Sequence, residues 1–200
     1  MLPLRARPRL TIAALCGGAG LEKSMLKWLL IVVVALVLLA VLAGQIGLLG
    51  GKAPDNLGLR DGKLKPPSNS PNSVSSQTDL WPAHPQADHA RIAALALVGD
   101  GQEAGPATMA RIQAIVQATS GATVVKAEPG YLHATFSTRL LKYTDDVEFW
   151  FDAANRAVQV RSASRLGRKD FGVNRARVEA IRAQLDKPVD KPVDKVPGKG

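Results

Sequence analysis

A long apolar run near the amino terminus limits this part of the chain to few environments. Every residue from Trp28 to Ala43 is apolar, and Gln45 is the one polar interruption before Gly50. A helix needs about 20 such residues, rising about 1.5 Å each, to cross a bilayer core of about 30 Å. A buried helix of a soluble domain seldom lacks polar residues on every face. The run therefore predicts one transmembrane helix or signal anchor over residues 25–49, held in the membrane by residues 28–49.

The charges that flank the run bear on its orientation. Lys23 and Lys27 precede it, which by the positive-inside tendency predicts a cytoplasmic amino terminus, although Lys52 also adds positive charge to the other flank. We therefore expect a single-pass protein of the bacterial inner membrane with a periplasmic carboxy-terminal domain. The alternative is a signal peptide cleaved after Val41-Leu42-Ala43, for which the apolar run is long.

The net positive charge lies mainly outside the predicted domain. The whole chain carries 26 Lys and Arg against 17 Asp and Glu, whereas residues 80–186 carry 13 against 11. A basic face or groove is the electrostatic signature of nucleic-acid binding. A nearly neutral domain with basic ends argues against nucleic acid as a partner and is better explained by membrane topology and a soluble tail.

Three segments are predicted to lie outside the folded domain. Residues 1–24 are interpreted as an extension ahead of an alternative start at Met25, because Met-Leu-Lys before an apolar run is typical of an export segment. Residues 50–88 are rich in Pro, Ser and Gly and predict a linker. Its SPNSVSS block, residues 70–76, is either a disordered tether or an arm packed on the domain. Residues 187–200 repeat Lys-Pro-Val-Asp, which predicts a disordered, solvated tail.

The remaining residues, 89–186, show the patterns of a small α+β domain. A helix is predicted from Pro106 to about Ser120. A strand is predicted at residues 124–125, and three more are predicted around residues 132–136, 147–151 and 157–164, where apolar and polar residues alternate. Short connections between consecutive strands favour a four-stranded antiparallel meander, which two helices would cover on one face.

The last strand leads through a charged loop into the second helix. Asn174 is predicted as the N-cap, with Val173 and Val178 spaced as a hydrophobic staple. Val178, Ile181 and Leu185 recur at helical spacing and predict the buried stripe of this helix.

Three blocks of this chain resemble one known family. They are SPNSVSS at residues 70–76, DDVEF at 145–149 and RSASRLGRKDFGVNRARVE at 161–179. Together they are similar to the signature blocks of the domain of unknown function 1499 family, over roughly residues 64–185. The resemblance implies no reaction, because the family has none assigned. Many members have cysteines near the first block where this chain has Pro67 and Ser73, so no cysteine-based role carries over.

The charged corner between the last strand and helix is the candidate site. Arginine side chains and free amides at a helix start bind phosphate or carboxylate. The candidate ligand-binding residues are Arg161, Ser162, Ser164, Arg165, Asn174 and Arg175. Nearby acids provide ion-pair partners, which favours a structural lattice over an anion site; the candidates are Asp145, Asp146, Glu148 and Asp170.

No catalytic residue, metal or cofactor is predicted. Ser162 and Ser164 lack a nearby histidine and a Gly-x-Ser-x-Gly elbow. His84, His89 and His133 do not specify three converging ligands. The sequence therefore favours a membrane-anchored envelope protein of unknown activity that acts as a binding or interaction module. The alternatives are a binder of phosphate or a lipid head group and, less favoured, an envelope enzyme.

Overall fold

The computed structural model describes residues 18–188 and the side chains from residue 23 onward. The described residues form two compact units, divided between Leu42 and Ala43. The predicted amino-terminal extension up to residue 17 and the predicted tail from residue 189 lie outside the described residues.

The apolar run forms a helix, α1 (Gly18–Gln45). Its segment Lys23–Gln45 is long and apolar enough to cross a membrane, and none of its apolar window is buried in the part of the chain that is described. A membrane anchor and a signal sequence both contain an apolar helix of this kind.

The second unit is built on one antiparallel sheet of six strands. They are β1 (Ser73–Ser75), β2 (Leu95–Ala96), β3 (Ala122–Glu128), β4 (Tyr131–Ser137), β5 (Thr144–Asp152) and β6 (Ala157–Ser164). The order is β1-β6-β5-β4-β3, and β2 also pairs with β6. The predicted meander is present as β3 to β6. The predicted count of four strands was wrong, because β1 and β2 are too short to show a periodic pattern.

Helices cover one face of this sheet. They are α2 (Ala87–Ala90), α3 (Ala104–Ala118) and α4 (Val173–Leu185), and a short 3-10 helix spans Thr78–Leu80. The two predicted domain helices correspond to α3 and α4, but the predicted count of two was wrong, because α2 and the 3-10 helix are too short to show a helical period. Their stripes, which include Ile112, Val116, Val178 and Ile181, pack on Phe149 and the other apolar residues of the sheet. The alternation of apolar residues along β4, β5 and β6 thus defines the core face.

A glycine is required where α3 passes into β3. Gly121 has φ of 80°, and a Cβ there would lie 2.6 Å from the carbonyl oxygen of Ser137. A side chain would therefore meet both an unfavourable backbone conformation and a backbone atom. Gly121 directly follows Ser120, where this helix was predicted to end.

Much of the predicted linker packs on the domain. Leu64 and Val74 are buried, and β1 lies within the SPNSVSS block and pairs with β6 in the register Val74 to Ser162. Of the two interpretations of this block, the structure has the packed arm. Composition did not decide between them, because turn-forming residues suit a packed extended arm as well as a free tether.

Helix α4 begins differently from the prediction. It starts at Val173, so Asn174 lies in the first turn, fully buried, and is not the N-cap. Asp170 provides the capping carboxylate, accepting hydrogen bonds from the backbone N–H groups of Gly172 and Asn174, both at 3.1 Å. Val173 is half exposed and forms no hydrophobic staple. The predicted stripe of Val178, Ile181 and Leu185 is buried.

Candidate functional site

A layer of polar side chains lies on the sheet face opposite α3 and α4. Side chains alternate between faces along a strand, so Asp146 and Glu148 of β5 point away from Val147 and Phe149, which belong to the core. We call this set the outer polar layer; its members are Tyr131, His133, Asp146, Glu148, Arg161 and Arg165. Cross-strand pairing places His133 beside Glu148 and Glu148 beside Arg161.

At the centre of the layer is a buried pair, Glu148 and Arg161, which are 0% and 4% exposed. Arg161 Nη1 lies 3.8 Å from Glu148 Oε2. The other carboxylate oxygen, Oε1, accepts hydrogen bonds from the Tyr131 hydroxyl at 2.8 Å and from the Gly58 backbone N–H at 2.7 Å. Arg161 Nε donates to the carbonyl of Pro66 at 3.2 Å. Residues 58–66 therefore cover the pair and bind both of its charges.

Burial shifts the pKa values of Arg161 and of Tyr131, the hydrogen-bond donor to Glu148. It lowers the pKa of Arg161, against the opposing effect of the Glu148 charge. Burial also raises the pKa of Tyr131, and the negative charge and hydrogen bond of Glu148 raise it further. The Tyr131 hydroxyl therefore stays protonated and acts as a hydrogen-bond donor. Glu148 Oε2 has no hydrogen-bond partner among the described residues, although it lies within ion-pair distance of Arg161.

Asp146 connects Arg165 and His133 within the outer polar layer. Its carboxylate accepts hydrogen bonds from Arg165 Nε at 2.8 Å and Arg165 Nη2 at 2.9 Å. His133 Nε2 lies 2.9 Å from Asp146 Oδ1. Burial alone would raise the pKa of Asp146, but the hydrogen bonds and charges of Arg165 and His133 outweigh it and lower the pKa below its ordinary value.

A second polar cluster lies on the helix side of the sheet, at the start of α4. We call it the inner polar cluster; it contains Asn72, Asp145, Ser162, Ser164, Asn174 and Arg177. Arg177 forms an ion pair with Asp145 at 2.5 Å and donates to Ser162 Oγ at 3.1 Å. The Ser162 hydroxyl donates to Asn174 Oδ1.

The Asn174 amide connects three segments of the chain. Its Nδ2 donates to the carbonyl of Asn72 at 3.1 Å, to Ser164 Oγ at 3.0 Å and to Asp170 Oδ2 at 2.9 Å. Asn72 Nδ2 donates in turn to the carbonyl of Gly167 at 2.7 Å. The SPNSVSS arm, the end of β6 and the start of α4 are thus joined through buried and partly buried hydrogen bonds.

The six predicted ligand-binding residues fall in three places. Arg161 and Arg165 belong to the outer polar layer, whereas Ser162, Ser164 and Asn174 belong to the inner polar cluster. Arg175 lies apart and donates to the carbonyl of His89 at 2.9 Å. Of the four predicted partner acids, Glu148, Asp146 and Asp145 pair with Arg161, Arg165 and Arg177 respectively, and Asp170 caps α4. Binding of an anion by the six residues stays a prediction.

The hydrogen-bond partners of Ser162 show whether a general base lies beside its hydroxyl. Ser162 is surrounded by Asn174 and Arg177, neither of which serves as a general base. The one histidine in the outer polar layer, His133, contacts Asp146 rather than a hydroxyl. Among the described residues no group of three His, Cys, Asp or Glu side chains is placed to hold a metal ion.

A cavity of about 300 Å³ lies beside the outer polar layer, which we call the arm cavity. Gly58 and Pro66, which bind Glu148 and Arg161, line it together with Trp81. Its charged lining residues are Arg60, Asp61, Lys63 and Lys65. Lys63 Nζ lies 5.9 Å from the centre of the Trp81 ring, within cation–π range.

Sequence reasoning missed several members of these clusters. Tyr131 and His133 alternate with Leu132 and Ala134, so their face could have been inferred, but their partners depend on the pairing of β4 with β5. Asn72 and Arg177 had no local signal, because their partners lie 102 and 32 residues away along the chain.

Comparison with known proteins agrees with the resemblance read from the sequence. Residues 63–185 match the family model "Protein of unknown function (DUF1499)", so the chain belongs to that family. No curated protein and no solved structure matches the chain. The three blocks that carried the resemblance meet in space, because β1 and β5 flank β6 and Asn72, Asp145 and Asn174 all belong to the inner polar cluster.

Proposed function

We propose that this member of the DUF1499 family is a single-pass protein of the bacterial inner membrane whose periplasmic α+β domain is a binding module. Helix α1 carries this proposal. Its apolar side chains, such as Leu29, Leu36 and Leu39, are about 60% exposed. Each such side chain gains roughly 1.5–3 kcal/mol on transfer from water to an apolar environment. A bilayer provides that environment for every face of the helix at once.

The contacts of the domain support binding rather than catalysis. Three arginines form ion pairs with carboxylates on the two faces of the sheet. The hydroxyl of the buried Ser162 donates a hydrogen bond to the amide oxygen of Asn174. Such contacts stabilise one arrangement of strands, arm and helix. A rigid domain held at a membrane surface is suited to present a fixed surface to a partner.

Carbonate extraction of membranes from bacteria that make the full chain tests the anchor. We expect the chain to stay in the pellet at its full mass. A Leu36→Arg, Leu39→Arg variant should move to the supernatant, because each charge at a helix centre costs about 2.5–3.5 kcal/mol on insertion. The matched control is Leu80→Arg, which changes an exposed leucine of the domain. Recovery of a soluble chain shortened near Ala43 would overturn the anchor in favour of a cleaved signal peptide.

Orientation is tested separately by adding protease to the outside of intact spheroplasts. We expect the domain to be digested only after the outer membrane has been removed. A domain that is digested only after lysis of the inner membrane would place it in the cytoplasm and overturn the orientation proposed here.

The arm cavity favours a second candidate function, the binding of a small anion. Three cationic residues, Arg60, Lys63 and Lys65, line it against one acid, Asp61, and the Trp81 indole offers a flat apolar wall. Thermal unfolding of the detergent-solubilised chain with and without inorganic phosphate tests this candidate, since a ligand that binds only the folded state raises the melting temperature. The rise should vanish in Arg60→Gln, Lys63→Gln and persist in Arg156→Gln. No rise with phosphate or a dicarboxylate would contradict it.

A further inference from the structure

Three loops meet at one end of the sheet in the second unit. They are residues 46–52, the β4–β5 loop at 138–143 and the β6–α4 loop at 165–172. Arg165 donates its backbone N–H to the carbonyl of Thr144 at 3.0 Å. A Cβ on Gly51 would lie 2.7 Å from Arg165 Cβ, and one on Gly50 would lie 3.6 Å from the carbonyl oxygen of Lys142. We call this region the loop end.

The loop end and the first residue of α4 leave large apolar side chains between 42% and 94% exposed. They are Ile46, Leu48, Leu140, Leu166, Phe171 and Val173. The extreme case is Phe171, which is 94% exposed and has φ of 52°. A bulky residue rarely adopts this left-handed conformation, and exposure of the ring adds no stability to the fold. A surface that keeps such a residue exposed is typical of an interaction site.

Positive charge surrounds these apolar side chains. Arg139, Arg168, Lys169 and Lys52 are exposed and form no ion pair within residues 18–188, while Asp170 caps α4. Exposed aromatic and aliphatic side chains with Lys and Arg around them are the composition by which proteins bind the interface of anionic membranes.

Few residues separate the helix α1 from the loop end in the sequence. Gly51 follows Gln45 by six residues, which span at most roughly 20 Å when fully extended. Turns shorten the connection further, because Leu48 N–H donates to the carbonyl of Ala43 at 3.0 Å and Gly50 N–H to that of Gly47 at 3.2 Å. Gln45 Nε2 also donates to the carbonyl of Leu140 at 3.0 Å. The loop end therefore follows the proposed membrane span directly in the sequence.

We propose that the loop end rests on the anionic headgroup surface of the membrane, with Phe171 and its apolar neighbours inserted at the interface and the four basic residues on acidic phosphates. The inference rests on the proposed anchor. It assigns the domain a fixed orientation, in which the β5–β6 turn at residues 153–156 points away from the bilayer. The nine residues of β5 separate the two ends, roughly 30 Å at about 3.4 Å per residue.

Hydrogen exchange of the full chain in lipid nanodiscs tests the docking. Amides of residues 139–143 and 167–172 should exchange about tenfold more slowly in discs with anionic lipid than in zwitterionic discs, because docking suppresses local opening. Amides of residues 153–156 should exchange equally in both. The difference should shrink at high salt, which screens the phosphates.

A variant and its matched control separate docking from folding. Phe171→Ser, Arg168→Gln should abolish the slower exchange of the two loops without changing exchange in β5 and β6, whose amides report on folding. Leu80→Ser, Arg156→Gln removes the same kinds of side chain elsewhere and should keep the lipid effect.

Equal exchange in both kinds of disc, with the chain still carbonate-resistant, would overturn the docking and leave the anchor standing. Loops that are equally protected in both discs and in detergent would also overturn it, in favour of a protein contact. A chain that is not retained in membranes would overturn the anchor itself.

Discussion

Arg165 donates two hydrogen bonds to the carboxylate of Asp146, from Nε at 2.8 Å and from Nη2 at 2.9 Å. Asp146 is 1% exposed, so this contact is shielded from water and from salt. It attaches the loop that follows β6 to the neighbouring strand β5, and the same loop holds Phe171 at the loop end.

The lowered pKa of Asp146 predicts a loss of stability in acid. Its pKa in the folded chain lies below the ordinary value of 3.8, so at low pH the unfolded chain takes up the proton first. Stability from this group is therefore present above about pH 4 and is lost as pH falls through the folded-state pKa. Chemical denaturation between pH 7 and pH 2.5, followed by tryptophan fluorescence, measures it.

Asp146→Asn should lower the free energy of unfolding by about 3 kcal/mol at pH 7, because Arg165 loses its buried partner. In the variant the free energy of unfolding should also depend less steeply on pH in acid. Some dependence remains, because the pKa values of Asp152 and Asp170 are also lowered. A free energy of unfolding that falls as steeply in acid as that of the unmodified chain would contradict the role assigned to Asp146.

The Glu148 and Arg161 pair predicts a non-additive mutant cycle. Glu148→Met should destabilise the domain by roughly 3–5 kcal/mol, because it leaves the Arg161 charge buried without its partner. The double variant Glu148→Met, Arg161→Met should recover part of that loss, since both charges are then absent while the Tyr131 hydroxyl and the Gly58 N–H stay without their acceptor. Denaturation midpoints of the single and double variants measure the coupling, and additive losses would show that the two side chains act independently.

Asn174 should be the most sensitive member of the inner polar cluster. Asn174→Ala removes hydrogen bonds to Asn72, Ser162 and Ser164 and leaves buried polar groups unpaired. We expect a loss of about 2–4 kcal/mol in the free energy of unfolding. Asn69→Ala, at an exposed arm residue, is the control and should change stability by less than about 0.5 kcal/mol. A small effect at both positions would show that the cluster does not stabilise the fold.

The packing of α3 predicts an unusual response to alanine. A Cβ on Gly105 would lie 2.2 Å from the Phe151 ring. Gly105→Ala should therefore destabilise the domain by roughly 1–3 kcal/mol, although alanine ordinarily favours a helix over glycine by about 1 kcal/mol. Adding Phe151→Leu should restore part of the loss. Stabilisation by Gly105→Ala alone, seen in thermal unfolding, would contradict this close approach.

Local patterns were sufficient for most of the elements. Strands β4, β5 and β6 were predicted by period-two alternation, and α3 and α4 by helical spacing, because in these segments one face is buried along several turns or residues. The short strands β1 and β2 were missed, since two or three residues cannot show a period. The cap of α4 was assigned to Asn174 because that residue type suits the position, whereas Gly172 occupies the N-cap and Asp170 accepts the hydrogen bond from the Asn174 N–H.

The candidate site was predictable in composition but not in arrangement. The three acids Asp145, Asp146 and Glu148 were expected to pair with arginines, and each forms an ion pair. Their faces follow from alternation along β5, yet the partner of each depends on strand register. Arg177, Tyr131, His133 and Asn72 enter only through contacts between distant segments.

The sequence by itself determined the features that depend on local order: an apolar helix long enough for a bilayer, an α+β meander, the stripes of α3 and α4, and membership of the family. Only the tertiary structure decided how the arm closes over Glu148 and Arg161, and how the charged corner divides between the two faces of the sheet. The physical reason is the distance along the chain over which each effect acts. Periodicity and propensity act within one element, whereas burial of a charge is tolerated only where partners from several strands and loops converge on it.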